Sequence, residues 1–211
     1  MDIIDYIKTF PLQNFRKDEI LLSPGDANKY LYAIRDGFVK VSSIDDSGRQ
    51  KFLWVAGRYD IVPAENFFSK NGLSYFYSAF SNGSMYAVDK SQFLEKAKTD
   101  ATYMSQIAQG LSEHYDTLLG RVNEIEQSDL RTKIIHMLYN LSLKFDNTSI
   151  VRLHKMGLNL THQDIADMVG ASREATSIEL KKLKTDGLIY YTRSSFTVFA
   201  DIISEKINTP V

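Results

Sequence analysis

Leu160–Ile189, LTHQDIADMVGASREATSIELKKLKTDGLI, is the stretch that decides the fold. The Thr161 hydroxyl is suited to accept from an early backbone N–H of the helix that follows. Ile165, Ala166 and Val169 then fall at helical spacing on one face. Gly170 can end that helix in a left-handed conformation, and the small Ala171 lets the chain turn tightly. Ser172 caps a second helix, SREATSIELKKLK, which stops near Asp186 and Gly187. Forked polar side chains at the start of a second helix are what major-groove reading requires, so a helix-turn-helix is expected. An ordinary helical hairpin in a core is the alternative, but it has no need of Arg173 and Glu174 at its tip.

Charge supports a nucleic-acid partner for this end of the chain. Residues 1–129 hold 14 Lys and Arg against 18 Asp and Glu, a net −4. Residues 130–211 hold 11 against 8, a net +3. Phosphate neutralisation supplies the sequence-independent share of DNA affinity, and Arg173, Lys181, Lys182, Lys184 and Arg193 lie in or just after the helix pair. The 211 residues allow one large domain or two small ones, and 44% hydrophobic with 24% charged residues suits a globular chain. There are no cysteines, which excludes disulfides, thiolate metal sites and cysteine-ligated iron–sulfur clusters. Apolar runs such as Phe52-Leu53-Trp54-Val55-Ala56 are too short to span a membrane. The start, MDIIDYIKTF, carries aspartates where a signal peptide needs positive charge. A cytoplasmic location is expected.

Ile3, Ile4, Ile7 and Phe10 suggest a short amphipathic helix ended by Pro11. From Phe15 to Val88 the period changes. Glu19–Leu22, Tyr30–Ile34, Phe38–Val41 and Phe52–Val55 read as strands, separated by Ser23-Pro24-Gly25-Asp26, Arg35-Asp36-Gly37, Asp45-Asp46-Ser47-Gly48 and Gly57-Arg58. Short strands so punctuated predict an antiparallel barrel or sandwich. From about Thr102 a long helical stripe begins: Met104, Ile107, Leu111, Leu118, Val122 and Ile125, with His114 filling the remaining seam position. Its length of about three heptads favours a dimer interface over an intramolecular core helix. Ser128 or Asp129 can cap the next helix, Leu130 to Lys144. A short strand is expected at Ile150–Leu153. Leu188–Tyr191 and Phe196–Phe199 should form a hairpin wing around Thr192-Arg193-Ser194-Ser195. The expected divisions are 1–101 for a sensor barrel, 102–128 for a dimerisation helix and hinge, and 129–211 for a DNA-binding domain. The class is α+β.

A barrel with Pro-Gly-Asp and Asp-Ser-Gly turns, a long dimer helix and a C-terminal winged helix-turn-helix resembles the catabolite activator/fumarate–nitrate (CRP/FNR) family of bacterial regulators. Ser172-Arg173-Glu174, Leu180-Lys181-Lys182-Leu183 and Asp186-Gly187-Leu188-Ile189 carry the match most specifically. Leu31-Tyr32-Ala33-Ile34 with Gly37, and Gly57, match the family's cyclic-nucleotide-type jelly roll more loosely. The resemblance implies that Arg173 and Glu174 read base edges. Arg can donate twice to guanine, and Glu can accept from cytosine N4. It implies that Ser177 touches a base or phosphate, and that Thr161, His162, Gln163, Ser172, Lys181, Arg193 and Ser194 grip the backbone. Ile178 departs from the pattern, since family members commonly carry a second guanine-reading arginine there. It either meets a thymine methyl or packs inward.

The family's nucleotide pocket has a glutamate on the ribose and an arginine on the phosphate. Glu65 keeps the first position, with Asn66 beside it, and Ser78-Ala79 match the end of the second motif. Tyr77 stands where the phosphate arginine belongs, and a phenol does not replace a guanidinium against a buried anion. Cyclic AMP is therefore not expected. All four histidines, His114, His136, His154 and His162, lie beyond the barrel, so haem has no histidine ligand inside it. No cofactor or metal is expected. His114 is either an effector contact or pH switch, or a packing residue of the seam. Phe67, Phe68, Tyr75, Phe76, Tyr77 and Phe80 are either an apolar effector site or core.

The expected function is a homodimeric, sequence-specific transcription regulator on a pseudo-palindromic site. Double-stranded DNA and a second copy of the chain are its partners. RNA polymerase and an unidentified small-molecule effector are further candidates. The alternative is a small-molecule-binding signalling module whose helix-turn-helix is a protein interface. An enzyme is not expected: the chain shows no metal-ligand spacing, no phosphate-cradling glycine loop and no cysteine nucleophile, and Glu65 beside Asn66 is too little for acid–base work.

Overall fold

A computed structural model describes residues 3–27, 29–46, 48, 50–69, 71–126, 129–145, 153–192, 195–199, 201 and 203. The chain divides into two compact units, Met1–Asp116 and Thr117–Val211.

In the first unit, helix α1 (Ile3–Ile7) precedes β1 (Leu12–Phe15), β2 (Ile20–Leu22), β3 (Tyr30–Asp36), β4 (Val39–Ile44), β5 (Gln50–Ala56) and β6 (Ile61–Val62). After a 3-10 turn come β7 (Phe76–Ala79), β8 (Gly83–Asp89) and α2 (Lys90–Thr99). Helix α3 (Ala101–Glu126) follows. The expected strands are all present, but they form two four-stranded antiparallel sheets, β1-β8-β3-β6 and β2-β7-β4-β5. Among the described residues no strand pairing closes them into a barrel, which corrects the expectation of one.

Both faces of β3 are covered. Leu31 and Ala33 point into a core with Ile7, Val88, Phe93, Ala97, Tyr103 and Ile107. Ile34, with Tyr32 packed alongside, points into a second core with Phe15, Val39, Val41, Trp54, Val62, Tyr77 and Met85. That two-sided burial is why Leu-Tyr-Ala-Ile reads as a continuous apolar run rather than an alternation. The turn between β3 and β4 needs glycine: Gly37 has φ +83°, and a Cβ there would lie 2.5 Å from the Asn82 carbonyl.

In the second unit, α4 (Leu130–Phe145), α5 (His162–Val169) and α6 (Arg173–Thr185) pack together with a small sheet. Its strands are β9 (His154–Met156), β10 (Ile189–Tyr191) and β11 (Phe196–Val198), in the antiparallel order β10-β11-β9. The predicted wing hairpin is present, and β9 extends it. Of the strand expected at Ile150–Leu153, residues 150–152 lie outside those described and Leu153 is not in a strand; β9 follows directly and buries His154 and Met156 around exposed Lys155. Ile134, Leu138, Ile165, Met168, Leu180, Leu183, Leu188 and Phe196 form the buried interior.

Candidate nucleic-acid interface and sensor pocket

Thr161 closes the start of α5 with a reciprocal capping box. Its Oγ1 accepts from the Asp164 backbone N–H at 3.1 Å, and the Asp164 carboxylate accepts from the Thr161 N–H at 2.8 Å. Gly170 ends the helix at φ +68°, the left-handed conformation read from the sequence. Ser172 then caps α6, its hydroxyl accepting from the Ala175 N–H at 3.2 Å.

Helix α6 has two distinct faces. Thr176, Leu180 and Leu183 are fully buried, whereas Arg173, Glu174, Ile178 and Lys181 are exposed and Ser177 is half-buried between them. Ile178 is 55% exposed, so the inward-packing alternative is excluded. The backbone candidates Thr161, Gln163 and Ser172 are also exposed, with Gln163 donating to Asp167 at 2.7 Å. His162 is half-buried, and its Nδ1 lies 2.8 Å from Ser177 Oγ. Burial first, then the nearby Arg173 and Lys181, hold this imidazole below its ordinary pKa. Other cations of α6 are engaged locally: Lys182 pairs with Glu179 at 2.6 Å, and Lys184 sits over the rings of Tyr190 and Tyr191. Arg193 and Ser194 lie outside the described residues.

The residues expected to line an effector pocket separate into different environments. Glu65 and Tyr77 do meet: the fully buried Tyr77 donates its hydroxyl to the Glu65 carboxylate. Burial, then that bond, push the phenol pKa well up, so it stays a neutral donor. Asn66 is buried in a structural role, donating to the carbonyls of Asn71 and Gly72 at 3.1 and 3.3 Å. No sequence pattern points to Lys90, whose ammonium is buried and donates to the Asn66 and Ser69 carbonyls at 2.6 Å each. Ser78 is half-buried on β7. The aromatic cluster divides: Phe67 belongs to one core, Tyr77 to the other, and Phe68 is exposed.

His114 packs its ring on Trp54 of β5, with centroids 4.3 Å apart. The rest of the expected seam also divides. Ile107 is 3% exposed inside the core of its own unit, and Leu111 packs against that core. Ile107 is therefore corrected to a core residue, because the first turns of α3 cover the sheet below them. Leu118 and Val122 are exposed, and so are Tyr115 and Leu119, which the heptad reading had missed. These four recur at i, i+3, i+4 and i+7, a helical stripe. The Ile125 side chain and Ser128 lie outside what is described.

Two antiparallel sheets followed by a helix-turn-helix with a small sheet define a class of regulator that joins a sensor-type domain to a DNA-binding one. A family model described as a cyclic nucleotide-binding domain matches residues 12–100, and one described as a Crp-like helix-turn-helix domain matches residues 132–200. The cAMP-activated global transcriptional regulator Vfr of Pseudomonas aeruginosa is 22% identical over 183 residues, covering 85% of each chain. The global nitrogen regulator of Synechococcus elongatus is 22% identical, covering 89% of this chain and 85% of its own. FixK2 from Bradyrhizobium japonicum has the same fold, with a TM-score of 0.79 at 16% identity over 93% of this chain and 96% of its own. The chain belongs to the CRP/FNR family of DNA-binding transcription regulators. The named relatives are regulators, not enzymes. Among the described residues no helix is long and apolar enough to cross a membrane.

Proposed function

We propose that the chain is a homodimeric, sequence-specific regulator that reads a pseudo-palindromic site through α6, with a sensor unit that does not take cyclic AMP. The observation that carries the reading is the exposed face of α6. Arg173, Glu174 and Ile178 stand free of the core on a helix whose opposite face is buried. Arg173 reads guanine, Glu174 accepts from cytosine, and Ile178 meets a thymine methyl. Ser177 sits between them, while Thr161, His162, Gln163, Ser172, Lys181, Arg193 and Ser194 hold the backbone.

The working division is 1–101 for the sensor, 102–128 for the dimerisation helix and 129–211 for DNA binding. The two sheets form a jelly roll of the cyclic-nucleotide-binding type, supported by a core drawn from both. Tyr115, Leu118, Leu119 and Val122 supply the dimer seam. The Tyr77–Glu65 bond argues against cyclic AMP: the phenol occupies the carboxylate that would hold the ribose and offers no cation to a phosphate. An effector of another kind, acting through a hinge at Asp129, and RNA polymerase as a partner complete the proposal, with the cytoplasm as its place.

Selection of bound duplexes from a random library, with purified protein and no added ligand, tests it. A palindrome with half-site centres about one helical turn apart, lost in Arg173→Ala, is the expected result. Sequence-blind binding unaffected by Arg173→Ala would overturn it.

A further inference from the structure

From α5, His162 touches both α6 and the wing sheet. Its Nδ1 is 2.8 Å from Ser177 Oγ, and its ring meets Tyr191 edge-on, centroids 5.3 Å apart at 76°. Tyr191 is itself stacked on Phe196 of β11, 5.0 Å away at 15°, so the imidazole rests against a fixed wall. The charged groups around it are unequal. Arg173 and Lys181 approach from α6, and both disfavour an imidazolium. On the β10 side stands Tyr191, whose phenol burial keeps neutral. On its own helix the Asp164 carboxylate is engaged by the Thr161 N–H and hydroxyl, at 2.8 and 2.6 Å.

In the free protein burial, then Arg173 and Lys181, favour the neutral imidazole over the charged one. With the proton on Nε2, Ser177 donates its hydroxyl hydrogen to Nδ1, and that hydrogen is not available to a DNA acceptor. A duplex on the α6 face changes the balance, because its phosphates offset Arg173 and Lys181. A protonated ring carries N–H on both nitrogens, so Nδ1 now donates to Ser177 Oγ and the hydroxyl hydrogen turns outward.

We propose that DNA binding by this chain takes up one proton at His162, which reverses the His162–Ser177 hydrogen bond and frees the Ser177 hydroxyl to donate to the duplex. The proposal rests on the reading of α6 as the base-reading helix. His162 is both a phosphate contact through Nε2–H and the positioning residue for Ser177. Affinity falls as pH rises through the window between the free and the DNA-bound pKa of the ring, since the bound form holds the extra proton.

The test uses the full chain and its selected duplex, with Kd measured by fluorescence anisotropy from pH 5.5 to 8.5 at constant ionic strength. Proton uptake is counted by calorimetry in buffers of different ionisation enthalpy. Wild type should weaken by up to about tenfold per pH unit inside that window, the limit for one linked proton. His162→Gln should be weak and flat. His162→Arg, with a permanent charge, should be flat and at least as tight as wild type at low pH. A wild-type slope retained in His162→Gln, or no proton uptake, overturns the proposal. If Arg173→Ala loses binding while His162→Gln keeps the slope, proton linkage alone fails. If Arg173→Ala binds as tightly as wild type, the reading of α6 fails and the linkage falls with it.

Discussion

Single residues set the chemistry of the reading helix. Ile178 is 55% exposed on the face that also carries Arg173 and Glu174, so on the proposed reading of α6 it offers an apolar contact where a forked donor would select guanine. Ile178→Arg should therefore shift one position of each half-site from thymine towards guanine. The expected gain in discrimination is about 1–3 kcal/mol, read by repeating the duplex selection with the variant. An unchanged preference at every position would place Ile178 away from the bases. In the first unit, Tyr77 stands where the family resemblance implies an arginine. Its buried neutral phenol donates to the Glu65 carboxylate, so the two groups satisfy each other within the chain and the phenol brings no cation.

At the scale of elements, α3 changes character along its length. Its first turns bury Tyr103 and Ile107 in the core of the first unit. Its later turns expose Tyr115, Leu118, Leu119 and Val122. Replacing Leu119 and Val122 together by Asp should leave the helical circular-dichroism signal intact and convert the protein to a monomer in sedimentation experiments. Specific DNA binding should weaken with it, because two half-sites no longer share one binding event. Ile107→Asp should instead destabilise the sensor unit, since it places a charge in an apolar core. A dimer that survives the Leu119 and Val122 changes would remove this stripe from the interface.

At the scale of the whole molecule, the proposed hinge at Asp129 can be tested directly. Asp129 stands at the start of α4, and its carboxylate accepts from the Thr132 N–H at 2.9 Å. Hydrogen bonds from Thr132 hold that carboxyl below its usual pKa. Its stabilisation is present at neutral pH and is lost only as acid protonates it below the ordinary carboxylate range. Asp129→Leu removes the cap at a cost of about 1 kcal/mol, seen as a lower Tm. It should also alter DNA affinity, although Asp129 is not among the residues proposed to touch the duplex. Unchanged affinity in that variant would rule out Asp129 as the hinge.

Local chemistry was legible in the sequence wherever an element is decided by its own residues. The Thr161 and Ser172 caps, the left-handed Gly170 and the wing hairpin need only near neighbours, and the structure shows each where the residues place it. The family, too, was legible, because Ser172-Arg173-Glu174 and the turn motifs are short and contiguous. Tertiary structure decided what depends on distant partners. A period of three and four does not say whether a stripe faces its own core or another chain, so Ile107 and Leu119 could be separated only by what lies over them. Strand pairing joins residues far apart in sequence, so the division into two sheets was not visible in runs that merely alternate. The role of Lys90 was equally hidden: a lysine reads as a surface charge until the carbonyls of Asn66 and Ser69 close around it.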